Sequence, residues 1–172
     1  MKKNTKVGFG IAMMVPFLLF IFIMFVKEIS FEQDVRGHLK LAADANSQEF
    51  AIQELNKAIV GIEQRRLTSG SSSVLWHTPA CDLDFWYLNI KQSRDDLVKL
   101  KNSQITDPLA VSNQLMKLRE TLLDSSDGET TVTAPPWSVY HPFQFGFILW
   151  GIVSFIMLGV GMLICGAAFM DP

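Results

Sequence analysis

The sequence predicts an all-α membrane protein, with two transmembrane helices flanking a three-helix, coiled-coil-like extracytoplasmic bundle. Three observations carry this prediction. An uncharged apolar run, VGFGIAMMVPFLLFIFIMFV, occupies 7–26, and a second fills 143–170. The stretch 27–142 between them is polar and mixed in charge. Within that stretch apolar residues recur at alternating spacings of three and four, the pattern of a helical seam.

The first run is 20 residues long. At the helical rise it spans about 30 Å, the thickness of a bilayer's hydrocarbon core. A cleaved signal peptide has a shorter apolar core, of roughly 7–15 residues, with a small-x-small site close behind it. Here the run is followed by Lys27, Glu28, Ile29, Ser30 and Phe31, and the Ala43-Asp44-Ala45 pattern stands too far downstream. The run therefore reads as an uncleaved signal anchor. Pro16 removes a backbone donor within it, so a kink is expected there. Lys2, Lys3 and Lys6 in the tail 1–6 set the orientation through the positive-inside bias. That bias predicts both termini in the cytoplasm, including 171–172, and the middle domain in the periplasm of a bacterial inner membrane.

The middle domain is mildly acidic. Of 15 Lys plus Arg and 17 Asp plus Glu, setting aside Lys2, Lys3, Lys6 and Asp171 leaves 12 against 16. Nucleic acid needs a basic patch, so it is not an expected partner. Phe31, Val35, Leu39 and Ala42 begin the first seam, and Ile52, Leu55, Ile59 and Ile62 resume it. These predict one long helix over about 29–67. Its weak middle is at Ala45, Asn46, Gln48 and Glu49, and Arg65, Arg66 and Gly70 stand at its end. Such a helix overhangs its neighbours unless it breaks at that middle or a second chain covers it. Thr78-Pro79 reads as a cap and first helical residue, opening a helix over 79–103 with the seam Leu83, Trp86, Ile90, Ser93, Leu97 and Leu100. After a short connection, Asp107-Pro108 repeats the start signal for a helix over 108–124, with Val111, Leu115, Leu118 and Leu122 as its seam. The stretch 124–136, DSSDGETTVTAPP, reads as a polar linker. Trp137 and Tyr140, with His141, are amphipathic side chains expected at the membrane interface.

The second span is rich in small residues. Ser154, Gly161 and Cys165 fall near one helical face, as expected of close helix packing in lipid. Packing against the first span and self-association of two chains both account for that face. Apart from Gln144 at its edge, neither span carries a charge, Asn or Gln, which argues against an ion or proton pathway.

No stretch carries a catalytic, metal or cofactor signature. His77 and Cys81 stand four apart near Asp82 and Asp84, but zinc needs three or four ligands converging at about 2.0–2.3 Å. Ser71, Ser72 and Ser73 lack a nucleophile-elbow context. Asp95 and Asp96 are helix neighbours that do not face each other. Cys81 and Cys165 are expected in different media and so as free thiols, with a bridge from Cys81 to another chain as the sharper alternative. Trp76, Phe85 and Tyr87 flank the seam residue Trp86. Bulky amphipathic rings of this kind anchor protein interfaces, and they also close the ends of small helical bundles. The sequence thus predicts a non-enzymatic interaction or scaffolding role in a cell-envelope membrane complex, with the bilayer and a protein partner or second copy as partners and no cofactor. The alternative is a ligand- or stress-sensing module that signals to a membrane or cytoplasmic partner; it requires a cavity with inward polar groups such as Ser93.

Overall fold

The computed structural model describes residues 3–103, 107–126 and 129–170. The expected cytoplasmic end at 171–172, the start of the tail, the connection at 104–106 and positions 127–128 of the linker lie outside the described residues. The chain is mostly helical. The elements are α1 (Lys3–Phe31), a π-helical turn (Glu32–Arg36), α2 (Gly37–Ala43), α3 (Gln48–Gln64), α4 (Leu83–Asn102), α5 (Pro108–Leu122), strands β1 (Leu123–Ser126) and β2 (Glu129–Val132), and α6 (Gln144–Met170). The chain divides into two compact units, one built from α1 up to Glu28 together with α6, the other from Ile29–Pro142.

In the first unit, α1 and α6 are both long and apolar enough to cross a membrane. Only 6% of the most apolar stretch of α1 and 11% of that of α6 is buried within the protein. A core helix of a soluble protein would be mostly buried, so the two helices present an apolar surface that lipid would cover. The helices pack antiparallel. Near one end the Cys165 Sγ approaches the Val7 carbonyl at 3.8 Å. In the middle Gly10 and Gly161 face each other so closely that a Cβ at Gly161 would lie 2.6 Å from the Gly10 carbonyl oxygen. Toward the other end Phe17 meets Phe155 edge-on at 6.2 Å and Phe20 meets Trp150 at 5.6 Å, with Gly151 making room for the Phe20 ring. The Lys27 ammonium stands 5.0 Å from the Phe147 ring centre. Ser154, Gly161 and Cys165 therefore share the interface with α1. Ser154 and Gly161 are buried there, and the Ser154 hydroxyl donates to the Gly151 carbonyl at 3.0 Å. The small face expected for close packing is used within the chain.

In the second unit the helix expected over 29–67 is interrupted. Residues Asp44–Ser47 are not helical. Ser47 is extended and its side chain accepts from the Phe50 N–H at 3.3 Å, capping a new helix. The reason lies in the weak middle: Ala45 and Asn46 supply little apolar surface to hold a helix to a core, while Asp44, Asn46 and Ser47 favour turns and caps. The reversal lays α3 antiparallel on α2 and the π turn. Gly61 allows this approach, because a side chain there would run into the Asp34 carbonyl. Arg65 completes the join by donating to Asp34 Oδ2 at 2.5 Å and to the Ser30 hydroxyl at 2.6 Å. Phe31, fully buried, lies between the guanidinium groups of Arg36 and Arg65 at 5.0 and 5.7 Å. α3 ends at Gln64 rather than 67. Arg66 takes a left-handed conformation (φ 58°), and the Leu67 N–H returns to the Ile62 carbonyl at 3.0 Å, a C-terminal closure that usually uses glycine.

Two further boundaries differ from the sequence reading. Pro79–Cys81 forms a single 3-10 turn, and α4 is capped by Asp82, which accepts from the Phe85 N–H at 3.0 Å. Ladder-like bonds from the Ser72 N–H to the Cys81 carbonyl (2.8 Å) and from the Leu83 N–H to the Gly70 carbonyl (2.9 Å) hold the preceding residues extended, so Thr78-Pro79 cannot start the helix. The stretch read as a linker contains a hairpin, with Leu123 opposite Val132 and Asp124 opposite Thr131. Its sequence cues are the Asp-Gly pair at 127–128 and the β-branched Thr130, Thr131 and Val132; Leu123 and Val132 pack against the helical core. α5 begins as its signal predicts, with Asp107 accepting from the Leu109 N–H at 3.0 Å and Pro108 as its first residue. It ends at Leu122, where the hairpin takes over.

One core of Phe31, Val35, Leu39, Leu55, Ile62, Leu83, Trp86, Leu97, Leu118 and others joins these helices. Among the described residues one acid is buried beside it. Glu54 is 2% exposed. Its two oxygens are taken by His38 Nδ1 and Lys57 Nζ, each at 2.7 Å. The Lys57 hydrogen bond, seconded by His38, holds the carboxyl below the usual range in spite of burial. A depressed carboxyl contributes stability above its unfolded value near 4.5, and that contribution is lost as pH falls through the folded value. We predict that stability in denaturant melts falls as pH drops below about 5, and that Glu54→Gln flattens this dependence while lowering stability at neutral pH by about 1–3 kcal/mol. In the first unit, Gly10→Ile should destabilise the detergent-solubilised protein by about 1–3 kcal/mol, the usual range for overpacking; an unchanged thermal midpoint would contradict the packing described.

Candidate functional site

α4 carries the aromatic residues singled out by the sequence, and it separates them. Phe85 is 64% exposed, whereas Trp86 beside it is buried. The Trp86 indole N–H donates to the Thr133 carbonyl at 2.8 Å, tying the chain that leaves the hairpin to α4. Tyr87 faces α3: its hydroxyl donates to Glu63 Oε1 at 2.5 Å, and the Lys91 ammonium lies 5.2 Å from its ring centre. The Glu63 hydrogen bond, with burial, pushes the Tyr87 hydroxyl up to about 12. Tyr87 is thus a structural contact between helices. Trp76, 64% exposed, stands in the extended segment before α4. Trp137 is half exposed in a left-handed conformation, and its ring lies 6.3 Å from that of Tyr140, which packs against the core.

The residues around Cys81 have structural partners. Asp82 caps α4, Asp84 accepts from the Gly70 N–H at 2.8 Å, and His77 is exposed. Among the described residues no three His, Cys, Asp or Glu converge as metal ligands. Cys81 is only 4% exposed, and its Sγ lies 3.3 Å from the Thr78 hydroxyl, whose hydrogen bond lowers the thiol below its usual range. A bridge from Cys81 to another chain therefore requires the 3-10 turn to open.

A trough of two adjoining recesses lies along the seam between α4 and α5. Its more apolar end, about 300 Å³, is walled by Phe85, Trp86, Ile90, Leu122 and Pro135 and is lined as well by Asp82, whose carboxylate caps α4. Its polar end, about 170 Å³, is walled by Asn89, Gln92, Ser93 and Asp96 of α4 and Gln114 and Lys117 of α5. Asn89 and Thr121 line both, so the two recesses adjoin. Antiparallel pairing explains the wall: residues of α4 one turn apart meet residues of α5 taken in reverse order. Ser93, the polar member of the α4 seam, was the one cue visible in sequence. Gln114, Lys117 and Thr121 could not be found that way, because they flank the α5 seam rather than lie in it. Two more open recesses accompany the trough, one of about 360 Å³ beside His38 and Lys57 and a larger one of about 670 Å³ between Asp44–Asn46 and the start of α5.

Comparison with family models, curated proteins and solved structures finds no match to this chain. For Cys81 the geometry makes a direct prediction. With Cys165 replaced by Ala, maleimide should label the folded protein at least about tenfold more slowly than the denatured chain, since access rather than thiolate fraction limits the reaction. Equal rates would show that the turn at 79–81 is open.

Proposed function

We propose that this chain is an integral membrane protein with a non-enzymatic interaction or scaffolding role, its helical bundle held on the periplasmic side of a bacterial inner membrane. The observation that carries the reading is the exposure of large apolar side chains close in sequence: Trp76 and Phe85 at 64% and Leu88 at 60%. They stand on a unit most of whose seam residues are buried. Exposed rings and aliphatic groups beside a well-packed core are characteristic of protein contact surfaces. The two apolar helices support a membrane anchor on both sides of the domain. The lysines of the tail support the orientation, and Trp137 and Tyr140 suit an interfacial position.

A second reading, a ligand-sensing module, is favoured by one observation. The polar end of the α4–α5 trough contains Ser93 and its neighbours, the kind of cavity such a module needs.

The interaction reading is tested by crosslinking in the native membrane followed by purification of the full-length chain. The expected result is a defined crosslinked species, a partner or a second copy, whose yield falls at least about tenfold in the Trp76→Ala/Leu88→Ala variant. A chain that crosslinks to nothing, or whose product is indifferent to that variant, overturns the reading. Reporter fusions within 27–142 test the orientation, and a cytoplasmic signal would remove the envelope part of it.

A further inference from the structure

We propose that the trough between α4 and α5 binds a free apolar α-amino acid, with its ammonium and carboxylate at the polar end and its side chain at the apolar end. This deepens the sensing reading, on which its biological role rests, and is separable from it as a binding claim.

The polar end presents one charge of each sign from opposite walls. Asp96 comes from α4 and Lys117 from α5. A net anion would meet Asp96 unfavourably, and a net cation would meet Lys117. A zwitterion satisfies both, and this is discrimination by repulsion as well as attraction. Asp96 is 31% exposed at its side chain and has only a long contact, 3.8 Å, with Lys99, so acceptor capacity remains. The other groups there, Asn89, Gln92, Ser93 and Gln114, are neutral and each can both donate and accept. They suit a head group that carries donors at one end and acceptors at the other.

Size and polarity then select the side chain. An apolar cavity of about 150 Å³ is enough for benzene, so the apolar end at about 300 Å³ has room for a side chain as large as that of leucine or phenylalanine. The polar end, at about 170 Å³, has room for roughly the backbone of one amino acid. Because Asn89 and Thr121 border both recesses, a ligand that fills both carries its apolar group next to its charged one. An apolar amino acid has that connectivity. A long-chain lipid or a sugar does not, the acyl chains of the first being too large for an apolar end of about 300 Å³ and the second lacking a compact apolar group.

The test uses the full-length chain in detergent micelles and isothermal titration. L-leucine and L-phenylalanine should bind. N-acetyl-L-leucine, which lacks the cation, L-leucinamide, which lacks the anion, and glycine, which lacks the side chain, should each bind at least about tenfold more weakly. Asp96→Asn should remove the preference for leucine over N-acetyl-leucine and leave the preference over leucinamide. Lys117→Gln should do the reverse. Phe85→Ala should weaken leucine and phenylalanine together without changing the order of head groups. Asp96, Lys117 and Phe85 are not core residues, and circular dichroism checks that each variant keeps its helical content. No heat of binding up to about 10 mM leucine, equal affinity for the three leucine derivatives, or preferential binding of a disaccharide of N-acetylglucosamine overturns the proposal. If leucine binds with the expected pattern yet leaves the membrane crosslinking unchanged, the site stands and the sensing reading fails.

Discussion

The second unit depends on the reversal at Asp44–Ser47. Once the chain turns back there, α3 lies along α2 and the π turn, and the remaining helices have a surface to pack on. The approach is close because Gly61 presents no side chain to the Asp34 carbonyl. The same approach brings His38 onto one oxygen of Glu54, whose other oxygen is held by Lys57 one turn along α3. A buried carboxylate without those partners would be expensive, so the clasp and the close packing require each other. Phe31 between Arg36 and Arg65 belongs to the same contact. There the arginine side chains cover an apolar ring while their charged ends reach Glu32 and Asp34, which is how long cationic side chains commonly serve a protein surface.

The trough follows from how α4 and α5 meet. Their buried seam residues, Leu83, Trp86, Ile90 and Leu97 on one helix and Leu118 and Leu122 on the other, are interrupted by Ser93 and bordered by carboxamides. A polar position within an apolar seam cannot be closed by dry packing at no cost, and a recess that solvent or ligand can enter relieves it. At the other end the hairpin sets the wall. The Trp86 indole N–H to the Thr133 carbonyl fixes the strand exit against α4 and brings Pro135 over the apolar recess. The hairpin is thus part of the site's architecture.

Much of the helical content was legible in the chain, for specific reasons. The two apolar runs are long enough to admit no other regular structure in lipid. Asp107-Pro108 starts α5 because cap and proline act locally, without help from distant residues. Thr78-Pro79 has the same local chemistry and starts only a single 3-10 turn, because its neighbours pair with Gly70 and Ser72. Phe85 and Tyr87 looked like companions in sequence. One is exposed and the other is bound to Glu63, since residues two apart on a helix point in different directions. The face of Ser154, Gly161 and Cys165 was visible as a stripe of small residues, yet its occupant was not, because a stripe does not say which helix lies on it.

By itself, then, the sequence determined what depends on short-range chemistry: the two apolar helices, the period of the seams, the mild acidity of the middle domain and the cap of α5. Only the tertiary structure decided where the long helical pattern breaks, that Asp82 rather than Thr78 caps α4, that the polar stretch after α5 folds as a hairpin, and which polar side chains share a wall. The physical reason is common to all four. Each is a choice between local alternatives of similar free energy, and contacts from residues far away in the chain, such as Gly61 with Asp34 or Thr133 with Trp86, are what tip it.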